Sequence, residues 1–214
     1  MKVVIFGATG MVGQGALHES LLAPDVESVL AVIRTPTGLS HPRLREVELD
    51  DFTDLTPIKD ELRGYDTCFY CLGVSSVGLD EAAYTRISYD FPMAAARVFA
   101  ELDPLATFVY VSGAGTNPRS RQMWARVKAR AERDLLDLLP NGYAFRPGVI
   151  QPQRGVRSKV GWYNAIYTAV GPLVPLLERV APRYVTTSDK LSQAMLRAAR
   201  VGFAGHIVEN ADLH

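Results

Sequence analysis

The sequence predicts an α/β fold: a doubly wound, mostly parallel sheet with helices on both faces and a small C-terminal lobe. Three observations carry the prediction. Short apolar runs recur with helical patterns between them, the rhythm of βαβ units. The runs VVIF, VLAVI and FVYV are continuous rather than alternating, as in strands buried on both faces. The first run also passes directly into a glycine-rich turn, GATGMVGQG, that opens a helical stretch.

In chain order, strands are expected at Lys2 to Phe6, Ser28 to Ile33, Arg45 to Leu49, Thr67 to Leu72, Thr107 to Val111, Tyr143 to Phe145 and His206 to Glu209. Between them, Met11 to Leu22, Asp80 to Leu102 and Arg119 to Leu139 place apolar residues three and four apart, the spacing of amphipathic helices. Asn141-Gly142 stops the third of these and turns the chain into the next strand. Beyond Pro147 the pattern loosens over Gly155 to Pro182, and a last helix runs from Ser188 to Arg200 with Thr187 or Ser188 as its cap. A chain of 214 residues without repeat or linker reads as one domain, residues 1–214, in which 149–187 form a substrate-lobe insertion.

Lysine plus arginine and aspartate plus glutamate both total 23, so no net field draws in nucleic acid. The opening MKVVIFG reads as a strand entering a turn and not as a secretory signal, which gives a cytoplasmic expectation. The weakly charged stretch Gly161 to Leu177 contains Pro172 and Pro175 and falls short of the ~20 apolar residues of a spanning helix, so no integral membrane span is expected. That stretch reads as a pocket cover, with a protein- or membrane-docking surface as the alternative.

Cys68 and Cys71 share one apolar run, where a strand sends residues three apart to opposite faces. Three extended steps span roughly 10 Å, too far for a disulfide. Two buried thiols are expected. His18, His41, His206 and His214 have no metal-ligand spacing, so no metal is implied.

The glycine turn carries the chemistry. Gly7 permits the tight turn, Gly10 lets backbone approach a pyrophosphate, and Gly13 allows the helix to pack on the strand, with Thr9, Met11 and Val12 completing the cradle. Phosphates then meet the free N–H groups of the helix N-terminus. This is the Rossmann arrangement. At the end of the second strand stands Arg34, where an NAD-preferring protein usually carries an acid for the ribose hydroxyl. A guanidinium grips a 2′-phosphate with two hydrogen bonds, so NADP(H) is expected in preference to NAD(H); a solvated strand-end arginine is the alternative. Asp51, with Phe52, follows the third strand where the adenine is expected, although either Asp50 or Asp51 can serve as a helix N-terminal acid instead. Cys71, Leu72 and Gly73 end the fourth strand, and the glycine allows backbone to come close to a cofactor.

Taken together, GATGMVG, Asp51-Phe52, CLG, VSGAG, the lysine of WARVK and FRPGV resemble the atypical short-chain dehydrogenase/reductase superfamily, within it most nearly the Tat-interacting-protein branch. The resemblance implies a strand-end serine, then a tyrosine and a lysine spaced Y-x-x-x-K on one helix face. The tyrosine exchanges the substrate proton, the lysine holds the nicotinamide ribose, and the serine orients the substrate carbonyl. It also implies that Pro147 and Gly148 set backbone beside the nicotinamide. The lysine corresponds to Lys128 and the serine to Ser112 at the strand end, although the next place, often serine in this branch, holds Gly113; the tyrosine position holds Trp124, and Ser88 falls where many relatives carry asparagine. An indole donates a hydrogen bond but is no general acid. Tyr84, Tyr163 and Tyr167 are candidate substitutes.

The functional expectation is therefore an oxidoreductase or epimerase-like enzyme using NADP(H), Ser112 and Lys128 on a small molecule. The alternative is a catalytically silent NADP(H) sensor acting on a protein partner. A monomer and a homodimer both remain open.

Overall fold

A computed structural model of the protein describes residues 1–152 and 184–213. The predicted sheet forms. Its strands are β1 (Lys2–Phe6), β2 (Ser28–Ile33), β3 (Leu44–Glu48), β4 (Thr67–Tyr70), β5 (Thr107–Val111), β6 (Gly142–Arg146) and β9 (Ile207–Glu209). They lie in the order β3-β2-β1-β4-β5-β6-β9, and every pairing is parallel. The order reverses between β1 and β4, so the crevice outside their carboxyl ends is where this architecture receives a ligand.

Alternation along each strand divides the core between the two faces of the sheet. Val4 and Phe6 of β1 point to one face with Phe99 of α3 (Phe91–Leu102) and Leu135 of α4 (Met123–Leu138). Val3 and Ile5 point to the other, with Leu17 of α1 (Met11–Leu22) and Leu191 and Met195 of α5 (Ser188–Val201). Cys68 packs on the first face and Cys71 on the second, both unpaired, as the strand period requires.

Four elements depart from the sequence expectations. The helix expected over 80–102 is broken: α2 (Glu81–Thr85), capped by the Asp80 carboxylate on the Ala83 N–H at 2.8 Å, runs into a π turn at Arg86–Asp90 and then α3. Pro92 supplies the reason, because it has no N–H to give the Ser88 carbonyl four residues back. The Tyr110 hydroxyl donates to that carbonyl instead, at 3.0 Å. The next helix starts at Met123 and not at Arg119, since the Asn117 and Ser120 side chains bond the N–H groups of Arg119 and Gln122 and hold the chain in turns. Nor is α1 an amphipathic surface helix. Its second face is covered by α5, so closely that a Cβ on Gly15 would lie 2.9 Å from Ser192 Oγ. Finally, Val149–Gln151 (β7) and Val185–Thr187 (β8) form an unexpected two-stranded parallel sheet. These strands are the described ends of the expected 149–187 lobe, whose interior, 153–183, lies outside the described residues together with Tyr163 and Tyr167. The cap of α5 is Thr187, whose Oγ1 accepts from the Lys190 N–H at 3.2 Å.

Candidate functional site

The glycine turn lies at the reversal point and is shaped by atoms it lacks. Gly7 has φ +79, and a Cβ there would come within 2.7 Å of Leu72 Cα at the end of β4. A Cβ on Gly13 would lie 2.0 Å from the Gly7 carbonyl oxygen. Both positions therefore exclude every side chain, the first for the turn and the second for the approach of α1 to β1. Gly10 closes the turn with its N–H on the Gly7 carbonyl at 2.9 Å, and Gln14 Nε2 braces it by donating to the Thr9 carbonyl at 2.9 Å. Gly10 is the N-cap of α1; no side chain caps the helix and its first turn holds no acid. The backbone around Met11 and Val12 thus keeps the positive end of the helix dipole open to an anion.

Around this turn the other predicted residues take different positions. Arg34 follows β2, exposed, with no hydrogen bond to any described residue. Asp51 accepts from the Thr53 N–H at 2.9 Å and hydroxyl at 2.7 Å through Oδ1, and pairs with Arg86 at 3.2 Å. These bonds, those from Thr53 foremost, hold its carboxyl below the usual carboxylate range. The Phe52 ring is only 3% exposed and packs against Phe6 and Phe91, so it is a core side chain. Cys71 gives its N–H to the Phe6 carbonyl at 2.9 Å, and burial pushes its thiol up. At Gly73 an added Cβ would meet nothing within 4 Å, so no packing within the described protein explains that glycine.

Ser112 and Lys128 meet at the end of β5. Lys128 Nζ donates to the Ser112 carbonyl at 2.7 Å and lies 5.9 Å from the centre of the Tyr110 ring. Burial lowers its pKa to about 8, against the pull of nearby Glu132. Trp124 is one helical turn before Lys128 and borders the turn after β5: a Cβ on Gly115 would lie 3.6 Å from its ring. Beneath them Tyr110 bonds the Ser88 carbonyl, and Tyr84 bonds the Ser88 side chain while burial pushes its phenol up. Tyr84 is buried in this layer, which places its hydroxyl away from solvent and weakens it as a substitute acid.

Two parts of this corner carry no sequence signal that pointed to them. One is Thr116, whose hydroxyl lies 3.1 Å from that of Ser112. The other is the ion-pair brace in which Arg146 of β6 holds both oxygens of the buried Glu132, at 3.0 and 2.6 Å, and Glu209 of β9 at 2.8 Å. A helical Glu132 four residues after Lys128 was readable; its partner across the sheet was not.

Gly148 answers to the protein itself. A Cβ there would lie 2.3 Å from the Tyr184 carbonyl oxygen, and its N–H is taken by Asn210 Oδ1 at 2.7 Å. The neighbouring Pro147 is buried, and its carbonyl accepts the Ala114 N–H at 2.9 Å. A cavity of about 440 Å³ lined by Asp25, Asp66, Thr107 and Arg200 opens at the opposite, amino-terminal edge of the sheet, away from these residues. Among the described residues, no group of three or more His, Cys, Asp or Glu is arranged to hold a metal, and no helix is long and apolar enough to cross a membrane.

No family model matches the chain. It is 30% identical over 142 residues to "Leucinostatins biosynthesis cluster protein T" of Purpureocillium lilacinum, covering 64% of this chain and 52% of that protein. The matched part is thus about half of that relative. "Protein FMP52, mitochondrial" of Debaryomyces hansenii is 25% identical over 93% of this chain and 88% of its own length. The Saccharomyces cerevisiae protein of the same name is 28% identical over 81% of this chain and 76% of its own. Among solved structures, the Bordetella bronchiseptica enzyme WbmF in complex with NAD+ superposes with a TM-score of 0.71, at 18% identity, over 99% of this chain and 76% of that one. MoeE5 in complex with UDP-glucose and NAD gives 0.70 at 19% identity, over 97% and 75%. A short chain dehydrogenase family protein from Francisella tularensis gives 0.68 at 12% identity, over 97% and 95%. The relatives correct one expectation: the FMP52 proteins are all named mitochondrial, which overturns the cytoplasmic placement. That placement rested on MKVVIFG, which is β1; a strand's burial in a sheet says nothing about the compartment the sheet occupies.

Proposed function

We infer that this chain, whose fold is that of the atypical short-chain dehydrogenase/reductase superfamily, binds a nicotinamide dinucleotide, NADP(H) in preference to NAD(H). It acts as an oxidoreductase or epimerase-like enzyme on a small carbonyl or hydroxyl compound, and the names of its relatives support a mitochondrial setting. The observation that carries this reading is the side-chain-free cradle of Gly7, Gly10 and Gly13 beneath an uncapped helix, with Lys128 of α4 meeting Ser112 at the carboxyl end of β5 in the same sheet.

The cradle fits the group: its open N–H groups suit a pyrophosphate, and the empty space at Gly73 lets a flat ring lie against backbone. Exposed Arg34 would grip a 2′-phosphate, and Asp51 retains Oδ2 to accept from an adenine amino group. When bound, the nicotinamide supplies or takes a hydride. Lys128 would hold the ribose hydroxyls with the N–H groups left after its bond to Ser112, and a pKa of about 8 lets it hold or release a proton close to neutral pH, which Trp124 cannot do.

Calorimetric titration with NADPH and NADH tests this reading. The wild type should prefer NADPH, and Arg34→Ala should weaken NADPH binding roughly ten- to hundredfold, the worth of charge-assisted hydrogen bonds of about 1.5–3 kcal/mol. Absence of binding by either nucleotide at millimolar concentration would sink the cofactor reading. Equal binding of both, unchanged by Arg34→Ala, would remove only the NADP(H) preference.

Trp124 in place of tyrosine favours a second reading, a catalytically silent sensor of NADP(H). A sensor must bind NADPH and NADP+ with different affinity or different consequence, because a ligand shifts a state only by its differential affinity. Hydride turnover on any substrate, measured by NADPH absorbance, decides for the enzyme.

A further inference from the structure

The hydroxyl protons of Ser112 and Thr116 can be placed by elimination. Thr116 Oγ1 lies 2.8 Å from the Gly113 carbonyl oxygen, which has no proton to give, so the single hydroxyl proton of Thr116 is committed to that bond. In the 3.1 Å contact between Thr116 Oγ1 and Ser112 Oγ, the one proton left to form the bond is that of Ser112. Both residues are only 5% exposed, which limits water as a competing partner. The frame holding them is fixed: the Ser112 N–H is on the Phe145 carbonyl at 2.8 Å, its carbonyl is on Lys128 Nζ, and the Thr116 N–H is also on the Gly113 carbonyl, at 3.2 Å. The chain therefore has one direction, Ser112 to Thr116 to Gly113, and leaves Ser112 Oγ with lone pairs only.

We propose that Thr116 is a positioning residue that fixes the Ser112 hydroxyl as an acceptor, so that the ligand group facing Ser112 is an alcohol hydroxyl and not a ketone or aldehyde oxygen. A carbonyl oxygen there would set lone pair against lone pair. An alcohol donates its proton to Ser112 and keeps its own lone pairs for the Lys128 ammonium, which lies on the Ser112 carbonyl. This substrate class rests on the proposed dinucleotide-dependent function; the direction of the hydroxyl chain does not.

Neutron diffraction from deuterium-exchanged crystals reads that direction without any ligand. The expected map has the Ser112 deuterium on the line to Thr116 Oγ1 and the Thr116 deuterium on the line to the Gly113 oxygen. A Ser112 deuterium pointing into the crevice, with that of Thr116 directed at Ser112, overturns the proposal. For the ligand preference, cyclohexanol and cyclohexanone serve as a matched pair, compared by saturation-transfer NMR on the full chain in excess NADP+. Wild type should favour the alcohol, Thr116→Val should move the alcohol-to-ketone affinity ratio at least fivefold toward the ketone, and Thr116→Ser should restore it. A ratio that Thr116→Val leaves unmoved, or no detectable alcohol binding, overturns the preference. Failure of NADP+ to bind while the neutron map shows the predicted chain would defeat the proposed function and leave the role of Thr116 standing.

Discussion

The two halves of the sheet specify their sites by opposite means. In the half built from β1, β2 and β3, the crevice is defined by absent atoms: Gly7 and Gly13 leave no room for a Cβ, and α1 has no capping side chain. In the half built from β4, β5 and β6, it is defined by present ones: the Lys128 ammonium on the Ser112 carbonyl, the Ser112 to Thr116 hydroxyl chain, and the Arg146 brace behind them. A steric exclusion admits one residue type, whereas a hydrogen-bond network can be satisfied by many. The first half therefore tolerates little change, and the second tolerates substitution more readily.

The largest expected effect lies in the second half. Arg146 carries a bidentate pair with Glu132, which is only 3% exposed. Arg146→Met would leave that carboxylate buried without its partner, at a cost on the order of 3–5 kcal/mol. Urea denaturation should show it as a lowered midpoint. Glu209→Gln removes the outer, half-exposed arm of the same brace and should cost no more than about 1 kcal/mol. Equal losses from the two substitutions would mean that the brace is not organised around the buried carboxylate.

Two glycines sharpen the contrast within the first half. Gly13→Ala forces a Cβ to within 2.0 Å of the Gly7 oxygen, an overpacking of backbone that should destabilise by about 3 kcal/mol. Gly73→Ala meets no atom within 4 Å and has no left-handed φ to strain, so stability should stay within about 0.5 kcal/mol. If a dinucleotide lies against Gly73, the same variant weakens NADPH binding at least tenfold in a calorimetric titration. Unaltered binding by Gly73→Ala would remove that residue from the site.

The same division decides what the sequence made legible. β1, β2, β5 and α1 were readable to the residue because each combines an apolar run or helical pattern with a glycine turn or other stop signal at its end. The glycine cradle was readable for the reason just given. The break before α3 was present in the sequence as Pro92, but a proline shows that a helical bond is lost and not that Tyr110, from another strand, replaces it. At Gly148 the sequence records a close approach without naming what approaches; among the described residues it is the Tyr184 backbone of a two-stranded sheet too short to give an alternation. Thr116 was invisible because its role depends on which of two hydroxyls surrenders its proton, and only the Gly113 carbonyl decides that.

A pH series tests whether the half built from β4, β5 and β6 carries a lysine that folding has made a weaker base. Folded Lys128 titrates at about 8 and its unfolded counterpart at the ordinary 10.5, with burial as the cause. Between those values the unfolded chain binds more protons than the folded one, so stability rises with pH across that window and is lowest below it. Lys128→Met keeps most of the apolar stem and removes the titration. The stability of the wild type relative to this variant should therefore climb as pH goes from about 8 toward 10.5, by on the order of 1–2 kcal/mol once part exposure is allowed for. Below pH 8 the difference should be flat, because both states of Lys128 are then protonated. Taking the difference between the two proteins at each pH cancels the tyrosines and other groups that titrate in the same range. A difference that stays flat to pH 10.5 would mean that Lys128 keeps its ordinary basicity, and with it would go the capacity of this corner to exchange a proton near neutral pH without a tyrosine.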